Sequence, residues 1–159
     1  MMAASLGGNA VARHPNLVAT KYGGNDIKLV TGLLARAPAL RHFFTERGFA
    51  YGSLIGECGL LVSIASINPR LARAYFEAGV ARQGSTLAAM LGELNAMRAE
   101  RQALSTAAHM DGAIDKLYAK LVNPRFPLRL LPPYESVPEE LFERFRAALR
   151  KRFPHWLEA

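Results

Sequence analysis

The sequence predicts an all-α protein that is not a compact globule. One transmembrane helix is followed by long extramembrane helices and a proline-rich extended segment. Three observations predict this. Residues 49–67 form a 19-residue run whose sole charged side chain is Glu57. The mean hydropathy, +0.05, is high for a chain of 159 residues with 20 Lys plus Arg and 13 Asp plus Glu. Beyond Asn68 the apolar residues recur every three or four positions, the period of a helix.

Residues 1–26 read as a flexible basic arm. Arg13 and Lys21 precede the first acid, Asp26, a composition shared with organellar targeting sequences. The plainer reading is an ordinary arm ending at the turn signal Gly23-Gly24-Asn25-Asp26. Residues 27–48 read as an amphipathic helical segment. Six Lys or Arg against two acids in residues 1–48 account for more than half of the net charge of +7.

Residues 49–67 read as the transmembrane helix, roughly 28 Å long and close to the thickness of a bilayer's hydrocarbon core. Ser53, Ser63 and Ser66 can each return a hydrogen bond to the preceding turn, and Tyr51 suits a membrane interface. Arg47, Arg70 and Arg73 flank the run and are placed to contact lipid head groups. Glu57 counts against a span, because a carboxylate in hydrocarbon must be protonated or paired. The competing reading is a buried central helix of a soluble bundle, or two short buried strands. Gly48, Gly52 and Gly56 make two GxxxG steps and Gly59 extends them, with Glu57 alongside. A helix face so bare admits a second helix at close range, so these positions are the expected helix-packing site.

A long helical region is expected over 68–123. Asn68-Pro69 is a helix start, with Asn as cap and Pro in the first turn. Gln83-Gly84-Ser85 interrupts, and a long helix then carries Leu87, Met90, Leu91, Leu94, Met97 and Leu104 on one side. Asp111-Gly112 breaks or recaps it, and Ile114, Leu117, Tyr118 and Leu121 continue the apolar stripe. Residues 124–138 form the proline-rich extended segment. Ser136 and Glu139 match a capping box for an amphipathic helix over 139–153. That helix has acids first and Arg150, Lys151 and Arg152 last, as its macrodipole favours.

No catalytic constellation stands out, and the chain reads as a non-enzyme. A single Cys excludes a disulfide scaffold and any multi-Cys metal site within the chain. His14, His42, His109 and His155 are dispersed without metal-ligand spacing, and His109 with Asp111 could pair only at a helix break. No phosphate-loop, dinucleotide or nucleophile-elbow motif occurs. Cys58 in apolar surroundings would have a raised pKa and be inert. No cofactor, metal or small-molecule substrate is expected.

A positive arm, Arg47-Gly48 entering a glycine-rich run, and the helix from Leu87 to Arg101 together resemble single-span accessory subunits of mitochondrial oxidative-phosphorylation complexes. The nearest likeness is to the complex I accessory subunit of the retinoid–interferon mortality family, over about 55 residues. The GxxxG face beside Glu57 is also similar to dimer-interface subunits of mitochondrial ATP synthase. The resemblance implies a non-catalytic subunit of the mitochondrial inner membrane that stabilises assembly. Its partners would be other subunits of a membrane complex and phospholipid, with no nucleic acid. The alternative is a soluble, cytoplasmic, basic α-helical module that binds nucleic acid or an acidic protein, whose affinity would fall steeply with salt.

Overall fold

A computed structural model of the chain describes residues 14–104 and 111–158. It divides into two units. One comprises the residues up to Val62 with Tyr75–Leu91, the other Ser63–Ala74 with the residues from Gly92 onward. The all-α expectation is corrected. The protein is mostly helical, but a parallel three-stranded sheet lies in the first unit. The transmembrane helix is corrected too: among the described residues, no helix is long and apolar enough to cross a membrane.

The first unit begins β1 (Ala19–Tyr22), α1 (Ile27–Arg36), β2 (Arg41–Phe44), α2 (Glu46–Ile55) and β3 (Gly59–Leu60). The strands lie in the order β1-β2-β3, with Ala19 opposite Arg41 and Phe43 opposite Gly59. Parallel neighbours need crossovers, and α1 and α2 supply them. Asp26 starts α1 by accepting from the backbone N–H of Lys28 at 2.9 Å and Leu29 at 3.3 Å. The helix stops at Arg36 because Pro38 pushes Ala37 out of the helical region, to φ −132° and ψ 52°. The helix expected across 27–48 is thereby split. Within it, Arg41-His42-Phe43-Phe44 alternates exposed and buried, as a strand does.

The apolar run 49–67 is the end of α2, a turn, β3 and a 3₁₀ turn, Ser63–Ser66. Gly56 ends α2 in extended backbone, at φ −167° and ψ 176°. Only Gly59 and Leu60 of this run are strand, both half-buried, and its buried apolar side chains are Phe49, Ala50, Ile64 and Ile67. Mean hydropathy alone cannot tell such a stretch from a membrane span. Phe44 and Phe49 are wholly buried beside Val30, Ala50, Tyr75 and Ala78. Each ring contributes about 1.5–3 kcal/mol by burial.

α3 (Pro69–Val80) runs from the second unit into the first, and α4 (Gly84–Gln102) from the first into the second. Asn68 caps α3 by accepting from the Leu71 N–H at 3.0 Å, and its amide donates to the carbonyls of His155 and Glu158. This buried amide is therefore satisfied on both sides. Its counterpart at the other end, Arg82, has φ 52° and lies two residues past the end of α3. The Arg82 N–H reaches the Gly79 carbonyl at 3.0 Å and the Gln83 N–H reaches Ala78 at 2.9 Å. That pairing is a Schellman motif, with arginine where glycine is usual.

The second unit adds α5 (Asp111–Val122), α6 (Glu139–Arg152) and a final 3₁₀ turn, Pro154–Trp156. Leu94, Met97, Leu117, Phe142, Phe145 and Trp156 are among its buried side chains. Lys120 joins α5 to the proline-rich segment and α6. Its ammonium donates to the carbonyls of Pro124 at 3.1 Å and Phe126 at 3.2 Å, and pairs with Glu139 at 3.0 Å. The proline-rich stretch turns at Asn123–Phe126 and again at Leu131–Tyr134 rather than running straight. The capping box is not formed. Pro138 occupies the cap position without a side-chain bond, and the Ser136 hydroxyl instead accepts from the Leu130 N–H at 2.8 Å.

Candidate functional site

A parallel sheet offers two rims, and the rim beyond the strands' carboxyl ends is the usual place for a ligand. Here that rim is filled from within. The Asp26 carboxylate occupies the N-terminus of α1, where an anion would otherwise sit. The Tyr22 ring crowds Gly24, where even a Cβ would come within 2.2 Å of the phenol oxygen. Thr45 ties the second loop to the first by donating to the Gly23 carbonyl at 3.4 Å. Buried Glu46 stands in the first turn of α2. Nearby, the Tyr75 hydroxyl donates to the Glu46 carbonyl at 2.8 Å, and burial, with the Glu46 charge adding to it, pushes its pKa up.

The opposite rim is open. Where β2 and β3 begin, a cleft of about 490 Å³ is bounded by Arg41, Phe43, Phe49, Ser53, Val80 and Arg82, among others. The strand period turns Arg41 and Phe43 to the side opposite His42 and Phe44, and a glycine at 59 leaves room for the Phe43 ring. A Cβ on Gly59 would lie 2.5 Å from that ring. Gly79 plays the same part for Phe49, whose ring a Cβ there would meet at 2.3 Å.

Ser53 is the unusual member. It is 7% exposed, and its hydroxyl has no hydrogen-bond partner in the protein. A hydroxyl buried without a partner is costly by about 1–3 kcal/mol. His42, by contrast, is used up. Its Nε2 donates to the acceptor-only Ala37 carbonyl at 2.9 Å, so on a neutral ring Nδ1 accepts from the Thr20 hydroxyl at 2.8 Å. It braces β2 against β1 and the end of α1. Burial pushes the Cys58 thiol up to about 11, so it is protonated at neutral pH and a poor nucleophile.

The expected site residues take other places. Gly48 and Gly52 face Phe44 of the same chain, with Cβ positions 2.9 and 3.2 Å from its atoms, and Gly56 faces Leu34. The close approach foreseen between two helices is thus made between α2 and its own sheet and crossover. Glu57 is almost fully exposed and makes a loose pair with Arg41 at 3.8 Å. Arg47 is half-buried, and Arg70 is exposed with its guanidinium 3.5 Å from the Glu158 carbonyl. Arg73 is exposed on α3. His109 and residues 1–13 of the basic arm lie outside the described residues. Among the described residues, no group of three or more His, Cys, Asp or Glu could hold a metal ion.

Sequence reasoning missed Ser53, Arg82 and Gly79 as members of one site. Ser53 was read as a hydroxyl masked by its own helix, and nothing local marks Arg82 as a left-handed residue. Comparison of the chain with known protein families, curated proteins and solved structures finds no match.

Proposed function

We propose that the α/β unit is a small-molecule-binding module whose ligand occupies the cleft where β2 and β3 begin. The observation that carries this reading is the Ser53 hydroxyl, buried without a protein partner on the wall of a cleft of about 490 Å³. Clefts of that size with a few placed polar groups are typical of ligand sites. No motif in the sequence points to a small molecule, and the support for one is the cleft. The accessory-subunit expectation depended on a membrane-spanning helix, and no helix among the described residues is long and apolar enough to be one.

The test is an amide-shift titration of the labelled full chain with mixed neutral, cationic and anionic aromatic fragments. The expected result is saturable shifts confined to residues 38–43, 53–59 and 79–82. Shifts elsewhere, or none up to millimolar fragment, would refute the reading.

A further inference from the structure

We infer that the cleft selects an oxyanion, a carboxylate or a phosphate monoester, carried on a flat apolar body. This rests on the small-molecule reading above and names its ligand class. Arg41 stands at the first position of β2 on the solvent side, with its side chain 79% exposed. Arg82 also lines the cleft, and no ion pair engages it among the described residues. Two guanidiniums against one carboxylate, Glu57, leave the mouth positive. The Arg41–Glu57 pair is long and exposed, so it contributes little and yields readily to an incoming anion. Guanidinium forks match carboxylate and phosphate oxygens bidentately.

The backbone at Arg82 is a second, separate observation. A left-handed residue after a helix is normally glycine, because an L side chain there is disfavoured by roughly 1–2 kcal/mol. The chain nonetheless holds arginine in that conformation, at φ 52°, at a position in the cleft lining. Phe43 and Val80, 40% and 67% exposed, supply the apolar walls, and the Ser53 hydroxyl is a buried, unpartnered hydrogen-bonding group in the lining. A bare inorganic ion would leave those walls uncovered, so the ligand pairs charge with an apolar body.

The experiment titrates the full chain with benzoate, phenyl phosphate, benzyl alcohol, benzylamine and inorganic phosphate, following amide shifts by NMR. Benzoate or phenyl phosphate should bind at least about tenfold more tightly than benzyl alcohol, the worth of one charge-assisted contact. Whichever of the two binds more tightly identifies the oxyanion. Arg82→Gly should erase that preference while raising the melting temperature, because glycine relieves the left-handed backbone; a purely structural arginine would give the second effect without the first. Ser53→Ala should weaken both anions and leave the fold intact. Equal affinity for benzyl alcohol and the anions, or an Arg82→Gly variant that keeps the preference, overturns the oxyanion assignment while small-molecule binding stands. Binding of inorganic phosphate as tight as phenyl phosphate also overturns it. No binding by any of the five removes both.

Discussion

Gly79 and Gly92 both lie within helices, yet the same change to alanine should act on them with opposite sign. A Cβ at Gly79 would stand 2.3 Å from Phe49 Cζ, 2.4 Å from its Cε1 and 3.1 Å from Ser53 Oγ. Phe49 cannot step aside easily. It is wholly buried, with the Tyr75 and Phe76 ring centroids at 5.8 and 5.7 Å. Overpacking of this kind is destabilising by about 1–3 kcal/mol. The better helix propensity of alanine returns at most about 1 kcal/mol. So close an approach to a wholly buried ring belongs in the upper part of the overpacking range, about 2–3 kcal/mol. Gly79→Ala should therefore lose about 1–2 kcal/mol net, or roughly 2–8 °C in Tm. A Cβ at Gly92 meets nothing within 4 Å. Gly92→Ala should gain about 0.5–1 kcal/mol from the backbone alone. Urea denaturation followed by far-UV circular dichroism reads both. Adding Phe49→Leu to Gly79→Ala should recover part of the loss, giving a coupling above about 0.5 kcal/mol. A Gly79→Ala midpoint at or above wild type would refute the close approach, and so would strict additivity with Phe49→Leu.

The remaining predictions concern protonation. Glu93 accepts from Trp156 Nε1 at 2.7 Å and lies 2.9 Å from His155 Nε2. Burial pushes its carboxyl up, but those two hydrogen bonds and the His155 charge outweigh burial and hold it below its ordinary value. A depressed folded value means that its stabilisation is complete above the ordinary carboxyl pKa and is lost as pH falls through the lower one. Glu93→Gln should therefore flatten the acid limb of the stability profile, read by the emission of Trp156, the sole tryptophan; superimposable acid limbs would contradict the assignment. Cys58, at about 11, should resist iodoacetamide at pH 7 and react as the solution approaches that value. Rapid labelling at pH 7 under native conditions would show that burial does not hold the proton on the thiol.

Legibility in the sequence followed the range of the interaction. The start at Asn68-Pro69 could be read because cap and proline act within one turn, and Asn68 does cap α3. The acid-first, base-last order of Glu139–Arg152 is local in the same way. The burial of Leu87, Leu94 and Met97 is legible because a stripe repeated over several turns can be read without knowing what covers it. The sheet was illegible for the opposite reason. Arg41–Phe44 has four residues and β3 has two, too few for a period to register. Gly48 and Gly52 announced a close approach, but not that its partner was Phe44, four residues before the first of them. The capping box failed because Ser136 was engaged by Leu130, a partner six residues back. The cleft depends on residues from 38 to 82 meeting in space, which no local pattern encodes.

The small size of the sheet bears on self-association. Among the described residues no further strand pairs with the outer edges of β1 and β3, and such an edge is a template on which aggregates grow. At β3 a passing chain finds two residues to pair with. At β1 the neighbouring Val18 is 69% exposed and would be attractive, but Lys21 is exposed within the strand itself. An added strand would have to accommodate that ammonium. Brevity limits pairing at one margin of the sheet, and an exposed lysine opposes it at the other.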